Sequence, residues 1–164
     1  MDAYLAIVSK RDNRHYADRE IPEAVVTRIL DAGRVTGSAS NKQPWRFLVV
    51  EDRERRKRLA DAVYEPDNVR SAALVIAIAG SRPMDIGRCA QNMMLAAWND
   101  GVASSPNGIK DKEWAADVLG LDDAPVTVLS FGYPSRQPPA ETRGASEWSA
   151  RANRRPLAES VERI

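Results

Sequence analysis

Ser38-Ala39-Ser40-Asn41-Lys42-Gln43-Pro44-Trp45-Arg46-Phe47-Leu48-Val49-Val50 turns, at Pro44, from small polar residues into an aromatic and β-branched run. The second half predicts a buried strand from Trp45 to Val50, and the first half a polar loop feeding it. Within that loop Ser38, Ser40, Asn41 and Gln43 carry side chains that both donate and accept hydrogen bonds. On the N-terminal side, Pro22 suits a first helical position, and Val25, Val26, Ile29, Leu30 and Gly33 follow at helical spacing, which predicts a helix from Pro22 to Arg34. Ahead of it, Leu5, Ile7 and Val8 suit a short helix that ends in the charged run Lys10-Arg11-Asp12-Asn13-Arg14.

On the C-terminal side, Glu51 to Val63 reads as an amphipathic helix with a solvated, mixed-charge face. A second apolar strand, Ala73 to Ala79, stops at Gly80-Ser81-Arg82-Pro83. Asp85 to Asp100 places Ile86, Ala90, Met93, Met94 and Ala97 at helical spacing and is apolar over much of its surface, so it is predicted to be the central helix. Val102 to Gly108 reads as a tight segment of small and turn-forming residues. A helix from Lys112 to Leu119 and a strand from Val126 to Phe131 follow, and Gly132-Tyr133-Pro134 opens a long irregular tail. The last helix is predicted after Arg154-Arg155, with Pro156 in its first turn. Three strands among about six helices predict an α+β or α/β plan.

The chain has 164 residues, 24 Lys+Arg against 23 Asp+Glu, one cysteine and one histidine. That length predicts a single domain, 1–164, able to bury about 70% of its unfolded surface without a metal or disulfide. A net charge of +1 supplies no broad field toward nucleic acid or an acidic membrane. Cys89 has no partner for an internal disulfide, and neither C-x-x-C nor H-E-x-x-H occurs, so no metal site is expected. The longest apolar run, Ala72 to Ala79, is far short of the roughly 20 residues of a membrane span. The N-terminus lacks the basic and apolar regions of a signal peptide, which predicts a soluble, cytoplasmic protein.

Three polar segments adjoin regular elements, where loops place functional groups on a rigid frame: Lys10 to Arg14, Ser38 to Gln43, and Ser104 to Gly108. Lys10-Arg11-Asp12-Asn13-Arg14-His15-Tyr16 is similar to the opening R-R-S-x-R-x-F signature of the nitroreductase family of flavin mononucleotide (FMN) oxidoreductases. Ser38 to Phe47 resembles that family's S-x-x-N-x-Q-P-W-x-F signature almost residue for residue. Asp85-Ile86-Gly87 through Gln91 to Ala97 resembles its central helix, and Gly132-Tyr133-Pro134 and Arg154-Arg155-Pro156-Leu157 match in order.

The resemblance implies an α+β fold with a mainly antiparallel sheet wrapped by helices. It implies a homodimer with FMN between subunits, the tail from 135 to 164 wrapping the partner, and hydride passing from NADH or NADPH via flavin N5 to a nitroaromatic, quinone or similar acceptor. The flavin carries the chemistry, so no catalytic residue of the chain itself is assigned. Arg11 and Arg155, with Lys10 and Arg154, are assigned to the phosphate, for which Arg forks suit bidentate binding. Arg14 is assigned nearer the ribityl chain or pyrimidine edge. Ser38, Ala39, Ser40, Asn41 and Gln43 are assigned to the flavin, Asn41 foremost. Pro106, Asn107 and Gly108 are assigned to backbone contacts near N5 and O4, Gly108 allowing close approach. Trp45, Phe47, Cys89, Met93 and Met94 read as packing residues, and His15 as exposed without a role.

Two departures stand out. Asp12 replaces the usual Ser beside the phosphate, and only Gly80 to Met84 joins the second strand to the central helix, where the family carries a long covering excursion. The resemblance therefore leaves substrate preference open. Alternatives are a specialised flavin-dependent dehydrogenase of the same family and a non-catalytic FMN-binding protein.

Overall fold

The computed structural model describes residues 2–136 and 143–164. Of the tail predicted from 135 on, residues 137–142 lie outside the described ones. The described chain divides into two compact units, one formed by the two chain ends, up to Lys10 and from 143 on, the other by Arg11 and the residues that follow to 136.

The larger unit is organised by a four-stranded sheet in the order β1-β2-β4-β3, every pair antiparallel. The strands are β1 (Trp45–Val49), β2 (Leu74–Gly80), β3 (Ala103–Asn107) and β4 (Thr127–Gly132). In β2, Leu74 through Ile78 are all buried, because both faces of the sheet are covered. Alternation then sorts the side chains. Leu74, Ile76 and Ile78 meet Leu129, Phe131 and the helices α2 (Glu23–Arg34) and α5 (Pro83–Asn99) through Ile29, Ile86, Met93 and Ala97. Val75 and Ala77 join Val128 against the other layer, α3 (Arg53–Ala60), α4 (Pro66–Arg70) and α6 (Lys112–Leu119), through Leu59, Val69, Ala115 and Val118. Trp45 and Phe47 pack against the α2–α5 cluster, Cys89 and Met93 are fully buried there and Met94 nearly so, as expected of packing residues.

The unit of the chain ends holds α1 (Ala3–Ser9), capped by Asp2 Oδ1 on the N–H groups of Tyr4 and Leu5, and α7 (Ala145–Arg151), which packs against it. In it Arg143 stacks 4.2 Å over the ring of Trp148. Among the described residues, no helix is long and apolar enough to cross a membrane.

The antiparallel α+β plan agrees with the expectation, with corrections. Val102 to Gly108 contains strand β3 rather than only a tight segment. Its residues, Ala-Ser-Ser-Pro-Asn, have poor strand propensity, but the strand lies at the sheet edge, where Pro106 can sit without costing a ladder bond. The helix expected over Glu51 to Val63 is confined to α3, started by Asp52, whose carboxylate accepts from the N–H of Arg55 at 2.6 Å. Helices α4 and α7 were not predicted. Only a 3-10 turn, Leu157–Glu159, follows Pro156, too short for the expected last helix.

Candidate functional site

The loop ahead of β1 is held in an unusual backbone. Ser40, Asn41 and Gln43 have φ of 52°, 53° and 48°, the left-handed region. For residues with a Cβ this conformation costs of order 1–3 kcal/mol each, least for Asn, and persists only where neighbours enforce it. Local bonds do part of that. Ser38 Oγ accepts from Gln43 N–H at 2.8 Å, Asn41 N–H donates to Ser38 O at 3.0 Å, and Gln43 Nε2 donates to Asn41 O at 3.3 Å. The loop's exit is fixed at Gly80, which pairs with Trp45. A Cβ at Gly80 would lie 1.8 Å from the Pro44 carbonyl oxygen, so only glycine lets the backbones approach this closely. The result leaves Ser40, Asn41 and Gln43 exposed on the surface.

The opening charged segment runs along the opposite margin of the sheet. Asp12 bridges Ser104 in parallel register, and Asn13 N–H donates to Ser104 O at 3.2 Å. The segment then follows the extension of β4: Ala17 N–H donates to Tyr133 O at 2.8 Å and Ser135 N–H to His15 O at 3.0 Å. It thus covers the free edge of β3, a standard way to blunt an edge strand. Its anchor is Tyr16, 9% exposed, whose hydroxyl lies 3.0 Å from Ser130 Oγ and 3.2 Å from the Ser130 carbonyl oxygen. Burial pushes the Tyr16 phenol up to about 12, the Ser130 bond opposing in part. Arg14 and Asp12 are exposed and Arg11 half-buried. Beside them a surface hollow of about 780 Å³ is bounded by Arg14, His15, Tyr16, Asp67, Ser135 and Arg136.

In the third segment, Pro106 and Gly108 are exposed, but the Asn107 side chain points into the protein. Its Nδ2 donates to Val128 O at 3.0 Å and shares its two protons with Ser105 O and Ser130 Oγ, both at 3.2 Å, while its Oδ1 accepts from Asn68 Nδ2 at 3.0 Å. This buried network of Asn68, Asn107, Ser130 and Tyr16 was not foreseen; its one sequence signal is a serine inside the apolar run of β4. The glycine after it also has a reason of its own. A Cβ at Gly108 would lie 3.1 Å from the Tyr64 ring, and Tyr64 N–H donates to the Gly108 carbonyl at 3.1 Å.

The fold therefore groups Arg11, Asp12 and Arg14 with Pro106, Asn107 and Gly108 along the β3 margin. It sets Ser38, Ala39, Ser40, Asn41 and Gln43 at β1, the other margin, three strand spacings or about 14 Å away. Lys10, Arg154 and Arg155 belong to the unit of the chain ends. There Arg154 and Arg155 are exposed, and Arg154 Nη1 donates to the Ala152 carbonyl at 2.8 Å, just beyond α7.

A helix-flanked antiparallel sheet with polar segments on both margins places the chain in the α+β class. The model of the nitroreductase family matches residues 7–81 and 68–133. A protein of Archaeoglobus fulgidus provisionally named an NADH dehydrogenase/NAD(P)H nitroreductase is 30% identical over 144 residues, 78% of this chain and 83% of the relative. One of Methanothermobacter thermautotrophicus with the same name is 29% identical over 153 residues, 84% and 80% of the two chains. Among solved structures, a provisionally named nitroreductase in complex with FMN from Desulfovibrio desulfuricans superposes with a TM-score of 0.80 at 27% identity, covering 100% of this chain and 98% of that one. A nitroreductase family protein of Clostridium difficile 630, at 24% identity, shares the fold with a TM-score of 0.83 over 99% and 98% of the chains. The chain belongs to the nitroreductase family.

Proposed function

We propose that the protein is a cytoplasmic FMN-dependent oxidoreductase that draws electrons from NADH or NADPH and delivers them to a nitroaromatic, quinone or similar acceptor. The observation that carries this reading is the loop ending at Pro44, with three left-handed residues that leave Asn41 and Gln43 exposed. The flavin's pyrimidine edge alternates carbonyl and N–H groups, and side-chain amides offer the matching acceptors and donors. The donor set at the β3 margin fits the rest of the cofactor: Arg11 and Arg14 suit its phosphate and the negative charge of its reduced ring. Asp12 lies between them, and its carboxylate must turn away from a bound phosphate. Asn107 spends its side chain inside the protein, and Pro106 has no N–H, so a main-chain donor from this segment comes from Asn107 or Gly108. When bound, FMN supplies the hydride chemistry itself. The chain's share is to hold the ring, set its edge contacts and keep cations beside it.

The same reading makes the site a shared one. The two sets of flavin-binding residues stand on opposite margins of one sheet, and a homodimer brings the loop of one subunit to the charged margin of the other. Lys10, Arg154 and Arg155 complete the phosphate contacts in this proposal, with residues 135–164 against the partner subunit. The Desulfovibrio desulfuricans complex with FMN supports the choice of cofactor. The test is the absorbance spectrum of the purified protein before and after adding FMN, then anaerobic addition of NADH or NADPH. A flavin band that bleaches is expected. A protein that cannot be loaded with FMN refutes the proposal, and one that stays yellow with both nicotinamides is a flavin-binding protein without the reductase activity.

A further inference from the structure

α5 is apolar where it meets the sheet, yet Asp85, Arg88, Cys89 and Asn92 form a polar stripe along one side at i, i+3, i+4 and i+7. Each member engages the run that leads into the strained loop. Asn92 Nδ2 donates to Thr36 Oγ1 at 2.8 Å, and Thr36 Oγ1 in turn donates to the Ala32 carbonyl at 3.0 Å. Cys89 Sγ lies 3.5 Å from the Gly33 carbonyl oxygen. Arg88 passes so close to Gly37 that a Cβ there would lie 3.1 Å from its Nη2. Asp85 stands at the end of the stripe, its side chain only 10% exposed. Its Oδ1 is 3.5 Å from Arg88 Nη1 and its Oδ2 accepts from the Ala39 N–H at 3.4 Å. Ala39 is the residue before Ser40, where the backbone first enters the left-handed region.

A buried carboxylate on a packing helix is costly unless its charge is used. Here its Oδ2 faces the backbone N–H at the entrance of the turn in a long contact, while its Oδ1 faces Arg88. We propose that Asp85 is a positioning residue for the flavin loop: without touching the cofactor, it fixes the turn that aims Asn41 and Gln43. This inference rests on reading residues 38–43 as flavin-binding. Thr36 and Asn92 share the task by pinning the approach to the turn.

Trypsin reads the loop directly, because Lys42 lies inside it and is exposed. In apo protein, Asp85→Ala is expected to speed cleavage after Lys42, mapped by mass spectrometry, by about tenfold while cleavage after Lys112 on α6 keeps its rate. Asp85→Asn keeps an oxygen acceptor and is expected to restore much of the protection. Affinity for riboflavin and for FMN is expected to fall by the same factor, since the damage is to the ring contacts and not to the phosphate. Unchanged cleavage after Lys42 in a folded Asp85→Ala protein overturns the inference, as does a loss confined to FMN. If Asp85→Ala does not fold, Thr36→Val removes the Asn92 contact without stranding a charge; faster cleavage after Lys42 alone supports the brace, and an unchanged rate refutes it. A wild-type protein that takes up neither flavin defeats the functional reading, while the Lys42 comparison still decides whether Asp85 holds the loop.

Discussion

Replacing Asn107 by Ala separates two roles for one residue. Asn107 stands in the segment proposed to contact the flavin, but its side chain joins Asn68, Ser105, Val128 and Ser130 in the interior, at 4% exposure. Truncation leaves the Val128 carbonyl and the Asn68 amide buried without this partner, while Ser130 Oγ keeps Tyr16 and the Ser105 carbonyl. Each buried group left unpaired costs about 1–3 kcal/mol, so the loss from these two amounts to about 2–6 kcal/mol out of a typical 5–15. For a chain of this size that lowers Tm by about 10 °C. The measurement is urea unfolding followed by tryptophan fluorescence, together with FMN titration under conditions where the variant remains folded. The expected result is a large fall in stability with FMN affinity changed by less than about threefold, or 0.7 kcal/mol. A variant of near-normal stability that has lost FMN refutes the structural assignment of the side chain.

Gly80→Ala drives a methyl into the Pro44 carbonyl, and because the obstacle is backbone it cannot rotate away. A loss of about 3 kcal/mol or more is expected in urea unfolding, with faster tryptic cleavage after Lys42; stability within 1 kcal/mol of wild type would contradict the packing. Arg11→Ala is expected to weaken FMN binding by about tenfold or more while sparing riboflavin, measured by flavin fluorescence quenching. Equal losses for both ligands would remove Arg11 from the phosphate site. Alkaline stability follows from two buried acids. Burial raises Tyr16 from 10.0 to about 12 and Cys89 from 9.0 to about 11, so each is held neutral in the fold. That contribution is complete below pH 9 and is lost as pH rises through these windows, at up to about 1.4 kcal/mol per pH unit for each group. Tyr16→Phe is expected to flatten the limb between pH 10 and 12, and an unaltered limb would show that the phenol is not responsible. The Ser130 hydroxyl keeps the Asn107 and Ser105 bonds in that variant.

What could be read from the sequence was chemistry that is local. Ser38 to Phe47 announces a loop and a strand because turn residues and strand residues stand side by side. The helical spacing of Ile86, Met93 and Ala97 likewise identified the central helix. β3 was not legible because Ser104, Ser105 and Pro106 carry no strand signal of their own; their pairing is imposed by Val128 to Gly132, more than twenty residues on. The inward turn of Asn107 was hidden for a related reason, since asparagine before glycine reads as a turn and its partners Asn68 and Ser130 are far apart in the chain. The candidate residues could therefore be named from the sequence, and their division between two margins of the sheet could not. That division is a property of strand order, and no short stretch of residues encodes it.

The pairing of residues 12–17 with β3 at Ser104 and with the extension of β4 has a consequence for how the protein comes into being. The Tyr16 hydroxyl reaches its partner across 114 positions of the chain. On the ribosome Arg11 and Arg14 emerge long before Ser130 of β4, to which Tyr16 anchors their segment. Contacts of such long sequence separation form late and slowly. The margin beside β3 is thus completed only once β4 has been made, more than a hundred residues after the segment that borders it.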